Sequence, residues 1–434
     1  MLFCAQFKQK QRKKLMDYVL SLNCGSSSLK YKLFDADTKQ VVLSGLAEKI
    51  KLPDSFITQK WPDGKKIERQ IVMRDHGEAL NEVMNMLREA SIDTNQIKGV
   101  GHRVVLGGDN LTSSCKITDD VIREIQKYAD IAPLHNPPAL AGINTALQVM
   151  PNAVQVAVFD NAFHQTIPEH VFRYAVPDAW YSQLKVRKYG YHGTSHLYVS
   201  KRAAALLGKD ASECNLITVH LGSGASVAAI KNGKCYDTSM GFTPITGLVM
   251  GTRPGNVDAS AVLYVMKKLG LTVDQAMTHL NKESGMLGLC KFSDLRDVEE
   301  NMETNDKCRL ALEKTILSVR QTIGAYIATL DGKVDAIVFT AGGGENDTYI
   351  RERCIENLDA MGIKLDKAKN STAIGRKGTT EAELTTPDSP IKVFMIATNE
   401  ELVLLEDTLA IMNGTYNPDH LKMNYSFAKM NKSR

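Results

Sequence analysis

The chain has 434 residues, of which 43% are hydrophobic and 24% are charged, and its formal net charge is +4. This length and composition are typical of a globular protein with two domains, with three as the alternative. The small net charge argues against nucleic acid or a membrane as partner, and there is no apolar run of about 18 residues that would predict a membrane-spanning helix.

The eight cysteines are scattered along the chain and form no C-x-x-C pair. This pattern indicates neither a zinc site nor a dithiol redox motif. Unpaired cysteines are typical of a protein in a reducing compartment, which is what we expect here.

A basic segment, residues 1–17, precedes the first predicted strand. Its apolar part is too short for a signal peptide. We expect a disordered extension, with a targeting or membrane-docking tail as the alternative.

The first strand is predicted over residues 18–23, followed by a Gly-Ser-Ser-Ser turn and two more strands over 29–34 and 40–46. The same order returns later, with strands over 216–220, 227–231 and 234–237 and a Gly-Ser-Gly turn after the first of them. This repetition predicts a diverged internal duplication.

Further strands are predicted over 153–159, 336–339 and 391–396, and helices over 78–89, 196–207, 259–268 and 310–330. Strands that alternate with helices predict an α/β chain with largely parallel sheets. Ligands bind beyond the carboxyl ends of such strands. The residues at these ends are Asn23, Asp160, His220, Gly342 and Glu400.

Three Gly-rich turns, over 25–28, 222–226 and 342–346, are candidates for binding phosphate, because glycine lets backbone N–H groups approach it closely. None of them is a Walker A loop. Two hairpin loops and a third Gly-rich loop around one nucleotide are the arrangement of actin, the heat-shock chaperone ATPases and the sugar kinases. The pattern therefore predicts a duplicated, two-lobed, ribonuclease H-like α/β fold with a nucleotide cleft.

Two arginines, Arg103 and Arg253, lie among apolar residues and glycines. Their planar guanidinium groups suit carboxylate and phosphoryl oxygens, and a buried structural ion pair is the alternative. His192 lies between glycines, on a predicted tight loop, where it could donate to a developing negative charge. A structural histidine is the alternative there, and it is the interpretation we prefer for His135 and His164.

Two acidic residues are candidates for a role with Mg²⁺. Asp160 ends a buried strand, where a carboxylate is costly without a partner or a function. Thr398 and Glu401 match a capping box, which would leave Glu400 free to face the site. Helix N-terminal charge complementarity is the alternative for Glu400.

These motifs resemble the acetate kinase family, in family order and over roughly residues 18–408. The segments that carry the resemblance are NCGSSSLK, GHRVV, APLHNP, VFDNAFHQT, YHGTSH, DTSMGFTP, MGTR and TNEEL. Propionate kinases share nearly all of them.

The resemblance implies a set of site residues. Catalytic roles fall on Asp160, His192 and Arg253. The carboxylate substrate would contact Arg103, Val105, Leu134, Tyr191 and Pro244. The nucleotide would contact Lys30, His220, Leu221, Gly222, Ser223, Gly224, Asp294, Leu295, Arg296, Gly342, Gly343, Gly344, Glu345 and Asn346. Asn23 and Glu400 would hold the metal.

The resemblance also implies reversible, direct in-line transfer of the ATP γ-phosphoryl group to acetate, with Mg²⁺, or Mn²⁺ instead, as the ion. It implies a cytoplasmic homodimer with one lobe formed by residues 18–160 and 399–434 and the other by 161–398. Tyr191 and Ser223 depart from the common family residues, so both acetate versus propionate and the phosphoryl donor stay open.

Two other classes of protein fit the fold. A nucleotide-dependent, chaperone-like or actin-like protein would have no reason to keep Arg103, His192 and Arg253 in Gly-rich loops. A sugar or polyol kinase would need a base for a neutral hydroxyl and a more polar pocket.

Overall fold

The computed structural model describes residues 16–133 and 135–429. The predicted basic extension falls almost entirely outside these residues, as does Leu134. None of the described helices is both long and apolar enough to cross a lipid bilayer.

The strands fall into two sheets. The first sheet contains β1 Tyr18–Cys24, β2 Leu29–Asp35, β3 Val41–Glu48, β4 Phe56–Lys60, β5 Lys66–Gln70, β6 Ile97–Val104, β7 Cys115–Lys116 and β8 Val154–Phe159. The second sheet contains β9 Leu216–Leu221, β10 Ala225–Lys231, β11 Lys234–Thr238, β12 Ala336–Thr340, β13 Glu381–Glu383 and β14 Lys392–Ile396.

The helices surround both sheets. They are α1 His76–Glu89, α2 Asp119–Lys127, α3 Asn136–Val149, α4 Glu169–Phe172, α5 Asp178–Ser182, α6 Gly193–Leu207, α7 Ala259–Leu269, α8 Val273–Lys282, α9 Gly285–Cys290, α10 Leu295–Asn301, α11 Asp306–Thr329, α12 Ala341–Asn346, α13 Thr348–Ile355, α14 Lys367–Thr372 and α15 Glu400–Met412.

The two sheets share one topology. Their orders are β5-β4-β3-β2-β1-β6-β8-β7 and β11-β10-β9-β12-β14-β13. In each, three antiparallel strands come first, and two later strands continue the sheet in parallel from the first of the three. The predicted duplication and α/β fold class are therefore confirmed.

The second sheet is covered on both faces. Every residue of β9 is buried, including Thr218 and His220, as expected for a strand between two layers. Alternate residues of its strands belong to two cores, one with Val199 and Ala203 of α6 and the other with Val319 and Ile323 of α11.

The last helix returns to the first sheet. Leu405 of α15 packs with Val19 and Phe34, and Leu404 packs with Val156 and Val158. The chain after α15 then contacts α6, where the Phe427 ring lies 4.8 Å from that of Tyr198 and the Phe427 carbonyl accepts from Arg202.

Candidate active site

A buried ion pair lies where β6 and β8 end. Arg103 donates through Nε and Nη2 to the two carboxylate oxygens of Asp160, at 2.9 and 2.7 Å. Glu400, the first residue of α15, has its Oε2 3.6 Å from the same Nη2 and accepts from the Thr194 hydroxyl at 2.8 Å. Two carboxylates therefore share one guanidinium, which lets both remain in a buried site.

The charges in this cluster shift each other's titration. Burial raises the pKa of Asp160, although the Arg103 charge opposes that rise. Burial would also raise the pKa of Glu400, but Arg103, His220 and the Thr194 hydroxyl bring it below the ordinary value. Burial acts to lower the pKa of Arg103, and the charges of Asp160 and Glu400 reverse this, so Arg103 stays cationic.

The predicted capping box at the start of α15 is wrong. Asn399 is the N-cap, and its side chain accepts from the Leu402 N–H. Glu401 instead lies 3.8 Å from Lys30 Nζ and 3.5 Å from Lys32 Nζ. Asn and Thr are both favoured at the N-cap, so sequence alone does not settle a shift of one residue.

Asn23, the other predicted metal ligand, is the penultimate residue of β1 and pairs with Lys30 across the hairpin. The Lys30 charge acts on Glu400, so this turn and the start of α15 face the same region. Within residues 16–133 and 135–429, no three His, Cys, Asp or Glu side chains group closely enough to hold a metal ion by themselves.

His192 lies directly before α6 in the left-handed backbone region, with φ of 58°. The next residue must be glycine, since a Cβ at Gly193 would lie 1.9 Å from the Asp160 carbonyl oxygen. The predicted tight loop therefore packs the start of α6 against the end of β8 and brings His192 beside the ion pair.

The His192 ring stacks on that of His220 with centroids 4.1 Å apart. Each ring is held at Nδ1 by a serine hydroxyl, His192 by Ser226 at 2.9 Å and His220 by Ser195 at 2.8 Å. Burial lowers the pKa of both histidines, well below the ordinary value for His192 and to about 4 for His220. Both are therefore neutral near pH 7.

The Nε2 edges of the two rings face the Gly-rich turn that follows β9. A Cβ at Gly224 would lie 3.4 Å from His192 Nε2 and 2.5 Å from Arg253 Nη2, and one at Gly222 would lie 3.7 Å from His220 Nε2. Arg253 is fixed by donating through Nη1 to the Pro244 carbonyl at 2.7 Å. The turn thus adjoins a cation and two imidazole edges.

A cleft of about 720 Å³ opens from this turn. Nine of the predicted nucleotide-binding residues line it: Leu221, Gly222, Ser223, Asp294, Leu295, Arg296, Gly342, Gly343 and Asn346. Asp294 caps α10 and binds the Arg296 guanidinium at 2.9 and 2.6 Å, at the rim of the cleft.

The last Gly-rich turn differs from its prediction, since residues 341–346 form the short helix α12. Glu345 does not line the cleft. Its Oε1 accepts from the Thr398 N–H at 3.0 Å and so connects α12 to the loop before Glu400. Gly344 is buried behind the cleft, and its carbonyl accepts from Arg351 at 2.9 Å.

The predicted pocket for the alkyl group draws on Val105, Tyr191 and Pro244, and its fourth member, Leu134, lies outside the described residues. Val105 packs against the same core that contains Tyr191. The Tyr191 hydroxyl donates its proton to the Phe242 carbonyl at 2.7 Å. The polar group of Tyr191 is therefore paired with the backbone.

Sequence reasoning missed several residues of the site. Thr194 and Ser195 lie in the YHGTSH motif, and Ser226 ends the second Gly-rich turn. Their position beside predicted site residues was the sequence signal that could have identified them. His135, taken as structural, has its pKa lowered to about 4 by burial and by the charges of Arg103 and Arg253, so it lies near the site. His164 is buried and bonded to the Tyr191 carbonyl, in keeping with a structural role.

The description "Acetokinase family" belongs to a family model that matches residues 18–406. The chain belongs to the acetokinase family. The acetate kinase of Geobacter sulfurreducens is 48% identical over 417 residues, covering 95% of this chain and 98% of that protein. The family resemblance of the sequence motifs is confirmed.

Solved acetokinase structures agree in fold. A Porphyromonas gingivalis acetate kinase matches with a TM-score of 0.85 and 40% identity, over 91% of this chain and 100% of that one. A Francisella tularensis propionate kinase matches with a TM-score of 0.84 and 38% identity, over 90% and 98%.

Proposed function

We propose that this acetokinase transfers the γ-phosphoryl group of ATP to acetate, giving acetyl phosphate and ADP, and catalyses the reverse reaction. The observation that carries the proposal is the approach of Arg253 and the His192 imidazole to the Gly-rich turn at the mouth of the cleft, with the Arg103 charge acting on that imidazole. Acetate kinases nearly half identical over almost the whole chain support it.

The transfer is direct and in line. The carboxylate is already anionic at neutral pH, so the charge on the transferring group is the main barrier. Arg253 and the Nε2 edge of His192 stabilise that charge, and Arg103 binds the substrate carboxylate. Since Asp160 occupies Nε and Nη2 of Arg103, it orients this guanidinium and leaves the Nη1 amine for substrate.

Asn23 and Glu400 would hold Mg²⁺, with Mn²⁺ as an alternative ion. An amide oxygen and a carboxylate are hard oxygen donors, which fit these ions, and so small a protein ligand set suits an ion that is also bound by nucleotide phosphates and water. When bound, the ion neutralises charge on the phosphate oxygens.

The nucleotide would lie in the 720 Å³ cleft, with its phosphates at the turn after β9 and its adenosine part between α10 and α12. Lys30, His220 and Gly224 would contact its phosphates. For Gly344 and Glu345 we propose an indirect role, since both support α12 from behind the cleft.

Propionate kinase activity is the second candidate, favoured by the match to the Francisella tularensis propionate kinase. The two activities differ by one methylene group in the alkyl pocket, which is worth only about 1–3 kcal/mol of discrimination. Membership in the acetokinase family argues against the chaperone-like and sugar kinase alternatives.

An acyl-hydroxamate assay tests the function, with acetate, propionate and butyrate as acceptors and ATP and pyrophosphate as donors. We expect ATP-dependent hydroxamate with the highest kcat/KM for acetate. A higher kcat/KM for propionate would establish the second candidate. Product with pyrophosphate alone, or ATP turnover without acyl phosphate, would overturn the proposal.

We also propose that residues 18–160 and 399–434 form one lobe and 161–398 the other, supported by the packing of α15 on the first sheet. A cytoplasmic location is supported by the free thiols of the described cysteines.

The same proposal includes a homodimer formed through α7. None of the residues of this helix is buried. Even its apolar residues Leu263 and Leu269 are 65% and 66% exposed. An amphipathic helix normally buries its apolar face, so an uncovered one marks an interaction surface. A second copy of this chain is the occupant we propose.

A further inference from the structure

The neutral imidazole of His192 carries one N–H, so its tautomer decides what the ring offers to the phosphate turn. Its Nε2 edge lies beside Gly224 and Arg253, and its Nδ1 bonds to Ser226. With the proton on Nε2 the ring donates to phosphoryl oxygens. With the proton on Nδ1 it would present a lone pair to an anionic group, which is repulsive.

Three fully buried side chains continue from His192 away from the site. Ser226 Oγ lies 2.9 Å from His192 Nδ1 and also 2.9 Å from His196 Nε2. His196 Nδ1 lies 2.7 Å from Thr218 Oγ1. Ser226, His196 and Thr218 are all 0% exposed, so water does not complete their hydrogen bonds from the surface.

The far end of this chain determines its direction. In the part of the protein that the structure describes, Thr218 Oγ1 bonds only to His196 Nδ1. A buried hydroxyl that does not donate its proton is costly, so Thr218 donates to Nδ1. Burial lowers the pKa of His196 well below its ordinary value, and the neutral ring then carries its proton on Nε2.

The remaining bonds follow one by one. His196 donates through Nε2 to Ser226 Oγ. Ser226 has one hydroxyl proton, and its other neighbour, His192 Nδ1, receives it. His192 is left with its own proton on Nε2, on the edge that faces Gly224 and Arg253.

We propose that Ser226, oriented by His196 and Thr218, is a positioning residue that holds His192 in the tautomer protonated on Nε2. The inference rests on the proposed role of His192 in stabilising the transferring group. It extends the acetokinase site by three residues that do not touch substrate and that act through the direction of their hydrogen bonds.

The tautomer can be measured without activity. In the full-length protein labelled with ¹⁵N-histidine, long-range ¹H–¹⁵N correlation spectra distinguish the two nitrogens of each ring, and His192→Gln identifies the His192 signals. We expect the Nε2–H tautomer in the wild-type protein. The Nδ1–H tautomer would overturn the proposal with no variant required to fold.

A matched pair at Thr218 tests the origin of the effect. Thr218→Val keeps the side-chain shape but removes the hydroxyl, whereas Thr218→Ser keeps the hydroxyl. We expect Thr218→Val and Ser226→Ala to give a mixture of His192 tautomers. Both should lower kcat by about 10-fold to 10²-fold and leave KM for acetate nearly unchanged. Thr218→Ser should retain most of the activity.

The outcomes separate the two levels of the proposal. Unchanged His192 tautomers and kcat in both Ser226→Ala and Thr218→Val would overturn the positioning role. If His192→Gln itself kept full kcat, the proposed role of His192 would fail, while the wild-type tautomer would still report on the hydrogen-bond direction. As a reference, Ser195→Ala should alter the His220 signals and leave the His192 tautomer unchanged.

Discussion

Arg253 is predicted to stabilise the transition state rather than to bind the substrates in the ground state. Its guanidinium is fixed by the Pro244 carbonyl and borders Gly224, at the turn where the transferring group would lie. Burial lowers its pKa from the ordinary arginine value, so this charge is poorly solvated and is available for charge that develops during transfer.

Arg253→Ala is expected to lower kcat by about 10²-fold or more, with much smaller changes in KM for acetate and ATP, because the lost interaction is strongest in the transition state. Steady-state kinetics in both directions measure this. Arg123→Ala serves as the control, since Arg123 lies on α2 and is 66% exposed. A change confined to KM would contradict the role.

Single residues were predictable where a strand end identified them. Asp160 and Glu400 follow buried strands, and the structure joins both to Arg103, which sequence alone could only propose as a carboxylate or phosphoryl ligand. The bonds of Ser226 and Thr218 were not predictable, although Ser226 ends a predicted Gly-rich turn, because their partners are histidines on other elements. Hydroxyl residues are common in strands, and only the fold shows which of them bonds to an imidazole.

At the scale of elements, the long periodic segments were predicted well, as were the Gly-rich turns between β1 and β2 and between β9 and β10, whereas the third Gly-rich turn was not. The predicted strands 18–23 and 336–339 and the helix 196–207 each match an observed element within a few residues. Residues 341–346 form a helix despite three glycines, which disfavour helix. Hydrogen bonds donated by the Arg351 guanidinium to the Gly344 carbonyl and by the Thr398 N–H to the Glu345 carboxylate stabilise it, and sequence propensity does not include such bonds.

Two elements at the cleft bring carboxyl groups together. Glu299 of α10 lies against Asp347, the residue that caps α13, and its Oε1 is buried without a hydrogen-bond partner among the described residues. Burial, and then contact with Asp347, raise the pKa of Glu299 to about 9. Folded Glu299 therefore keeps its proton at pH values above the ordinary glutamate pKa, where the unfolded chain has lost it.

Because the folded protein binds more protons here, this group lowers the free energy of unfolding progressively between about pH 4.5 and 9. Glu299→Gln removes the ionisation, so we expect it to raise Tm by roughly 1–3 °C at pH 8.5 and to have little effect at pH 5. Thermal unfolding across this range checks it. The exposed neighbour Glu300→Gln is the control, and an equal shift at both pH values would argue against the prediction.

At the scale of the molecule, the duplication was predictable because the order of strands and turns repeats in sequence. The family resemblance implied that residues 399–434 belong with 18–160, but no residue pattern predicts how the last helix packs on the first sheet, since α15 and β1 are separated by almost the whole chain. The uncovered face of α7 likewise appears only when burial is known.

The double variant Leu263→Glu with Leu269→Glu is expected to convert a dimer to a monomer, because two charges would be placed in an apolar interface. Light scattering coupled to size-exclusion chromatography measures the mass. Leu52→Glu is the control, because Leu52 is 50% exposed on a loop far from α7 in sequence. A monomeric wild-type protein, or a double variant that remains dimeric, would refute the interface.

The return of α15 to the first sheet has a consequence for biosynthesis. Val19, Val156 and Val158 are covered by a helix that begins at residue 400. On the ribosome, one face of the first sheet therefore stays open until nearly the entire polypeptide has been made, and its closure requires a contact across almost the full sequence. The N-terminal sheet, although translated first, therefore cannot be completed before α15 has been made.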